Sequence, residues 1–142
     1  MLETEFFFAP PKIAESGKNK NRYALANTYH LWHRWAKTKI KQRFIQEMIQ
    51  WNIPKNESEP MRCGSIEFTI YRNDYRRMDS DSVAFPLAKW VLDIFVKQGW
   101  LLDDDKVQVI HHVPVLGVKD QCDKVLIHVK AQFYEKEKCN DL

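Results

Sequence analysis

The chain is poor in chain breakers and in the motifs that most readily betray a chemistry. It has 142 residues with only 4 glycines and 6 prolines, so most of it is expected to be ordered, without low-complexity linkers. There is no glycine-rich phosphate loop, no Gly-x-Ser-x-Gly and no Ser/His/Asp constellation, which removes the usual signatures of nucleotide and acyl-transfer enzymes. The three cysteines, Cys63, Cys122 and Cys139, are odd in number, far apart and without a Cys-x-x-Cys. They read as reduced thiols of a cytosolic protein, neither a disulfide framework nor a zinc site. The N-terminal MLETEFFFAPP lacks a basic n-region, and its apolar run is too short for a signal peptide or a membrane span. A cytoplasmic protein without a membrane partner is therefore expected. No charge sign dominates: the formal net charge of +3 permits a nucleic-acid partner without demanding one, and a basic patch would have to be local.

What is present suffices for one domain spanning 1–142, with residues from about 135 onward expected to fray. ETEFFFA, from Glu3, reads as a strand stopped by Pro10 and Pro11. From about Asn27 to Trp51 the period becomes helical: Trp32, Ala36, Ile40, Phe44 and Met48 form one apolar stripe. Ile66, Phe68 and Ile70 alternate with polar neighbours, as in a half-buried strand. Leu87, Val91, Ile94, Phe95 and Gln98 define a second helix, with Pro86 in its first turn and Gly99 as its stop. VQVIHHVPV and KVLIHVKAQFY follow as two strands joined as a hairpin through Gly117 to Asp123. The expected fold is α+β, in the order β-α-β-α-β-β, a mixed sheet with two helices packed on one face.

Two acidic clusters flank the second helix. In RRMDSDS, Asp79 and Asp81 stand two apart, and in an extended segment they point the same way. Two converging carboxylates repel unless a cation lies between them. Arg76 or Arg77 is one candidate; Mg²⁺, which takes one or two protein carboxylates and leaves other positions to water and phosphate, is another. In LLDDDK, Asp103, Asp104 and Asp105 lead into the next strand. If that strand lies beside Ile66–Tyr71, its start is expected to approach Asp79 and Asp81. Aspartates also serve turns by satisfying local backbone donors, and from the residues alone the two readings are evenly matched.

The histidines supply no metal site. His30 and His33 share a helix face without a third ligand, His111 and His112 point to opposite faces of a strand, and His128 faces solvent or a partner sheet.

RRMDSDS, a helix, and then KQGWLLDDDKV resemble the RusA family of Holliday junction resolvases over most of the chain. The family shows a basic stretch ending in Asp-x-Asp-Asn, a helix bearing a lysine, a glycine, and Asp-Asp before a strand. Arg76, Arg77, Asp79 and Asp81 match the first part; Leu87-Ala-Lys89, Asp93 and Lys97-Gln-Gly99 match the helix; Leu102-Asp103-Asp104 with Val107 match the end. Pro10, Pro11 and Asn21-Arg22-Tyr23 fit the family's beginning with extra residues between them. Three features depart from the pattern. Ser82 replaces the family's Asn. About one additional helical turn separates Asp81 from the lysine, so that counting forward reaches Phe85 while counting back from Gly99 reaches Lys89. Three aspartates fill the place of two, and the spacing from Leu102 to Val107 selects Asp104, with Asp103 beside it.

The resemblance implies a Mg²⁺-dependent endonuclease, with Mn²⁺ as a possible substitute, that resolves Holliday junctions or other branched DNA in recombination and repair. It implies Asp79, Asp81 and Asp104, with Asp103, as metal ligands, Lys89 as a point charge near the scissile phosphate, and a homodimer whose two-fold matches two symmetric nicks. Lys89 read as an early-helix cation against the dipole suits a site residue; Lys89, Asp93 and Lys97 as an ordinary solvated i, i+4 stripe is the open alternative. Candidate DNA contacts are Lys18, Lys20 and Arg22, the run Arg34, Lys37, Lys39, Lys41 and Arg43 that holds no acid, and Arg72, Arg76 and Arg77, with Tyr29, Trp32 and Trp35 as candidate stacking residues. Two rival functions stay open: a DNA-binding protein that keeps the frame with weak or no cleavage, and a small interaction module in which the acids only cap and turn.

Overall fold

The computed structural model describes residues 1–11, 34–72, 80–112, 115–116, 125–135 and 139; the side chains at 34–36, 72, 80–86 and 116 fall outside that description. The elements run β1 (Leu2–Phe8), α1 (Arg34–Trp51), β2 (Cys63–Arg72), α2 (Ser80–Lys97), β3 (Val107–His111), β4 (Val115–Leu116) and β5 (Val125–Tyr134). The fold is α+β with one mixed sheet, in the element order expected except that the third strand is split in two.

Strand alternation determines which way the sheet faces. β5 is buried at every second residue, and Val125, Ile127, Val129, Ala131 and Phe133 join Ile66, Phe68 and Ile70 of β2 and Phe6 and Phe8 of β1 on one apolar face. Both helices cover that face. Ile40, Phe44 and Met48 carry the α1 stripe inward, and Phe44 packs edge-on against Phe8 with ring centroids 5.5 Å apart. From α2, Leu87, Val91, Ile94 and Phe95 are buried as their spacing predicts, and Trp90 and Leu92 join them. Phe95, fully buried, stacks edge-on with Phe133 at 5.0 Å. Gly99 ends α2 with φ at 79°, the left-handed conformation that its lack of a Cβ permits. α1 closes with the amides of Asn52 and Ile53 both donating to the Met48 carbonyl, just before Pro54.

Four expectations are corrected. The sheet order is β1-β5-β2-β3, with β4 also on β2. β5 is antiparallel to β2, whereas β3 is parallel to it, so β3 and β5 flank β2 on opposite sides and form no hairpin. α2 begins at Ser80, six residues before Pro86 (86 − 80), which therefore lies inside the helix. Lys89 falls at mid-helix, where the dipole carries no penalty for a cation. Finally, Cys63 and Cys139 are joined by a disulfide across 76 residues. The fold brings them together, which spacing along the chain does not report. Cys122 lies outside the described residues. Among the described residues, no helix is long and apolar enough to cross a membrane.

Candidate functional site

The site is best built from the turn between α2 and β3. After Gly99 the chain runs alongside the segment preceding β2: the Met61 amide donates to the Trp100 carbonyl at 2.9 Å and the Leu102 amide to the Met61 carbonyl at 3.0 Å. Leu101 is buried and anchors the turn to the core. The three aspartates that follow then divide their roles. Asp103 serves the turn, its Oδ1 accepting the Asp104 amide at 2.7 Å. Asp104 points to α2, where its Oδ2 accepts from Lys89 Nζ at 2.7 Å. The same ammonium lies 3.3 Å from Asp93 Oδ1, one helical turn further on.

This cluster is electrostatically polarised and open to solvent. The Lys89 ammonium holds the Asp104 carboxyl below the usual carboxylate range, while partial burial works against that shift. Reciprocally, Asp104 first and Asp93 second raise the Lys89 pKa above the ordinary lysine value. Both groups are thus charged at neutral pH. The side chains are 60% and 26% exposed for Lys89 and Asp104, so an approaching phosphate or cation reaches both.

The other candidates stand as follows. Asp79, Arg76, Arg77, Lys18, Lys20 and Arg22 lie outside the described residues, as do Tyr29 and Trp32. Asp81 is described by its backbone alone and sits in the first turn of α2, so the strand alternation invoked for it does not apply. The register corrects one expectation about the strands: Val107, at the start of β3, pairs with Gly64 at the start of β2, the opposite end from Arg72. Asp81 precedes Lys89 on α2 by eight residues, about 12 Å along the axis at ~1.5 Å per residue.

Asp104 has the chemistry of a ligand for a hard cation: ionised, oxygen-bearing and accessible. Among the described residues, however, no group of three His, Cys, Asp or Glu side chains is placed to hold a metal. On the basic side, Lys39 is exposed and Lys37, Lys41 and Arg43 are half-buried on α1, with Lys37 and Arg43 each engaged by a partner in the fold. Arg34 and Arg72 are described by backbone only.

His111, His112 and His128 fall where alternation put them, and His30 and His33 lie outside the described residues. His111 stacks on Phe68 at 5.8 Å on the side covered by α1 and α2, whereas His112 bonds Glu67 at 2.9 Å. His128 lies on the opposite side, where it bonds Glu5 at 2.6 Å and contacts the ring of Phe7 at 4.5 Å. Sequence reasoning missed this cross-strand set. Its one available signal was the exposed parity of Glu5, Phe7 and His128 on strands whose pairing was not legible.

Compared with models of known protein families and with curated protein sequences, the chain matches none.

Proposed function

We propose that the protein is a Mg²⁺-dependent endonuclease acting on four-way or otherwise branched DNA in recombination and repair. The supporting observation is the 2.7 Å contact between Lys89 and Asp104. These are the two residues selected independently, one by counting back from Gly99 and the other by spacing from Leu102 to Val107.

In this reading Asp104, with Asp103 next to it, contributes to the ion from the turn, and Asp79 and Asp81 are its further ligands. A bound Mg²⁺ would supply charge neutralisation at the phosphate and an acidified water. Lys89 is an ammonium with three donors; among the described residues two carboxylates engage it, and a third donor is available to a phosphate oxygen. Because Asp93 and Asp104 fix its head, it meets the scissile phosphate already oriented, which is what electrostatic stabilisation of a transition state requires. A homodimer would present two such sites to the two strands to be nicked. A cytoplasmic location goes with this reading.

Asp81 lies about 12 Å along α2 from Lys89, so in the nuclease reading the ion, with bonds of about 2.1 Å, draws the two acidic segments together. The same separation favours the second reading, a junction-binding protein that does not cut.

A synthetic four-way junction separates the two. The nuclease reading expects salt-sensitive binding and Mg²⁺-dependent nicking that Asp81→Asn abolishes while binding persists. Binding without nicking by the unmodified protein supports the second reading, and no binding at all overturns both.

A further inference from the structure

We propose that the Cys63–Cys139 disulfide is a redox latch controlling how firmly the turn carrying Asp104 is held. This goes beyond the nuclease reading and concerns the turn whatever chemistry Asp104 serves.

The segment Met61–Gly64 is a hinge plate between two parts of the molecule. On one side it supports the turn: Met61 bridges Leu101 in parallel, the Leu102 amide bonds the Met61 carbonyl at 3.0 Å, and the Gly64 amide bonds the Lys106 carbonyl at 3.2 Å. On the other it pairs with the end of β5, with the Arg62 amide on the Tyr134 carbonyl at 2.9 Å. Cys63 sits in the middle of this plate. Alternation along β2 puts it with Ser65 and Glu67 on the face opposite α1 and α2, and it is absent from the main core cluster. It is nevertheless only 3% exposed, whereas Cys139, bonded to it, is half-buried. One shallow cavity is lined jointly by Cys63, Cys139, Gly64, Ser65, Asp105 and Lys106. The disulfide thus lines a cavity together with Asp105 and Lys106 from the end of the aspartate turn.

Accessibility sets the order of events on reduction. A dithiol reductant attacks through its thiolate at the more exposed Cys139 Sγ, forming a mixed disulfide and releasing the Cys63 thiolate. The second thiol of the reductant then displaces Cys139, closing the reductant's own disulfide. Each protein sulfur gains one proton and one electron, and the dithiol supplies both pairs. The freed Cys139 thiol has backbone acceptors nearby, the carbonyl of Glu135 at 3.2 Å and that of Tyr134 at 3.8 Å. A thiol is a weak donor, so these hold Cys139 far less firmly than the covalent bond. With Cys139 released, the plate loses its tie and the turn loosens.

Amide hydrogen exchange on the intact protein, read alongside alkylation of free thiols, tests this. Under glutathione disulfide neither Cys63 nor Cys139 should alkylate, and after dithiothreitol both should. Reduction should raise exchange at Leu102 and Gly64 by about tenfold or more, with Val129 in β5 unchanged, as expected of local rather than global opening. Cys139→Ser without reductant should reproduce that pattern. Unchanged exchange at Leu102 and Gly64 after full reduction overturns the proposal. So does an equal rise at Val129, failure of Cys139→Ser to mimic reduction, or alkylation of Cys63 and Cys139 under the oxidant. None of these readouts depends on DNA cleavage.

Discussion

Lys89 and Asp104, fifteen residues apart in sequence, meet at 2.7 Å between Nζ and Oδ2. α2 supplies the first and the turn into β3 the second, and Gly99 with its positive φ makes the reversal between them possible. The pair is exposed, and exposed ion pairs contribute little to folding; its position beside Asp93 and Asp103 gives it more to offer chemistry than stability.

Asp104→Asn and Lys89→Ala should accordingly leave the thermal midpoint nearly unchanged, while junction cleavage falls by about 100-fold or more in each, the scale of losing one preorganised charge at a reacting centre. Carboxyl resonances provide a companion check. Asp104 should titrate below the usual carboxylate range in the native protein and return to it in Lys89→Ala. The sign follows from the shifts. Because the folded pKa of Asp104 is depressed, its contribution is complete above the ordinary carboxyl value and is lost as pH falls through the folded one. For Lys89, whose folded pKa is raised, the contribution is complete below the ordinary lysine value and lost as pH rises through the folded one. The pair is therefore insensitive to pH across the neutral range.

The sheet itself has a sharp packing test. A Cβ on Gly64 would collide with the Gln132 carbonyl and lie 2.8 Å from Phe133 Cα, backbone that cannot step aside. Gly64→Ala should destabilise by about 3 kcal/mol in urea denaturation. Phe95→Ala, which removes a fully buried ring touching Phe6, Trp100 and Phe133, should cost about 3–5 kcal/mol. A loss below about 1 kcal/mol for either would contradict the pairing of β2 with β5 or the seating of α2.

Pro86 gives α2 a stability test. Replacing an interior helical proline with alanine favours the helix by up to about 3 kcal/mol. Pro86→Ala should raise the thermal midpoint; an unchanged or lower midpoint would contradict a helix that runs through position 86.

Much of the fold was legible because period reports burial directly. The i, i+4 stripe Ile40, Phe44, Met48 and the alternation Ile66, Phe68, Ile70 are buried as read. Neighbourhood was not legible: β5 alternates identically whether it pairs with β3 or β2, and only the tertiary packing selects β2. Helix onset was misjudged because Pro86 matches a first-turn signal, whereas α2 carries it inside. The disulfide was hidden because Cys63 and Cys139, 76 residues apart, carry no local spacing signature. At the site, neighbouring aspartates differ in what they contact: Asp103 accepts the Asp104 amide within the turn, and Asp104 meets Lys89 across to α2, a pairing that no local spacing reports.

The most direct test is a titration with Mn²⁺ as a paramagnetic probe, following backbone amide signals. Signals of Asp103–Lys106 and of Ser80–Ser82 should broaden together at the same Mn²⁺ concentration, and Asp104→Asn and Asp81→Asn should each abolish both effects. Broadening confined to one of the two segments, or absent from both, would contradict a cation shared between them.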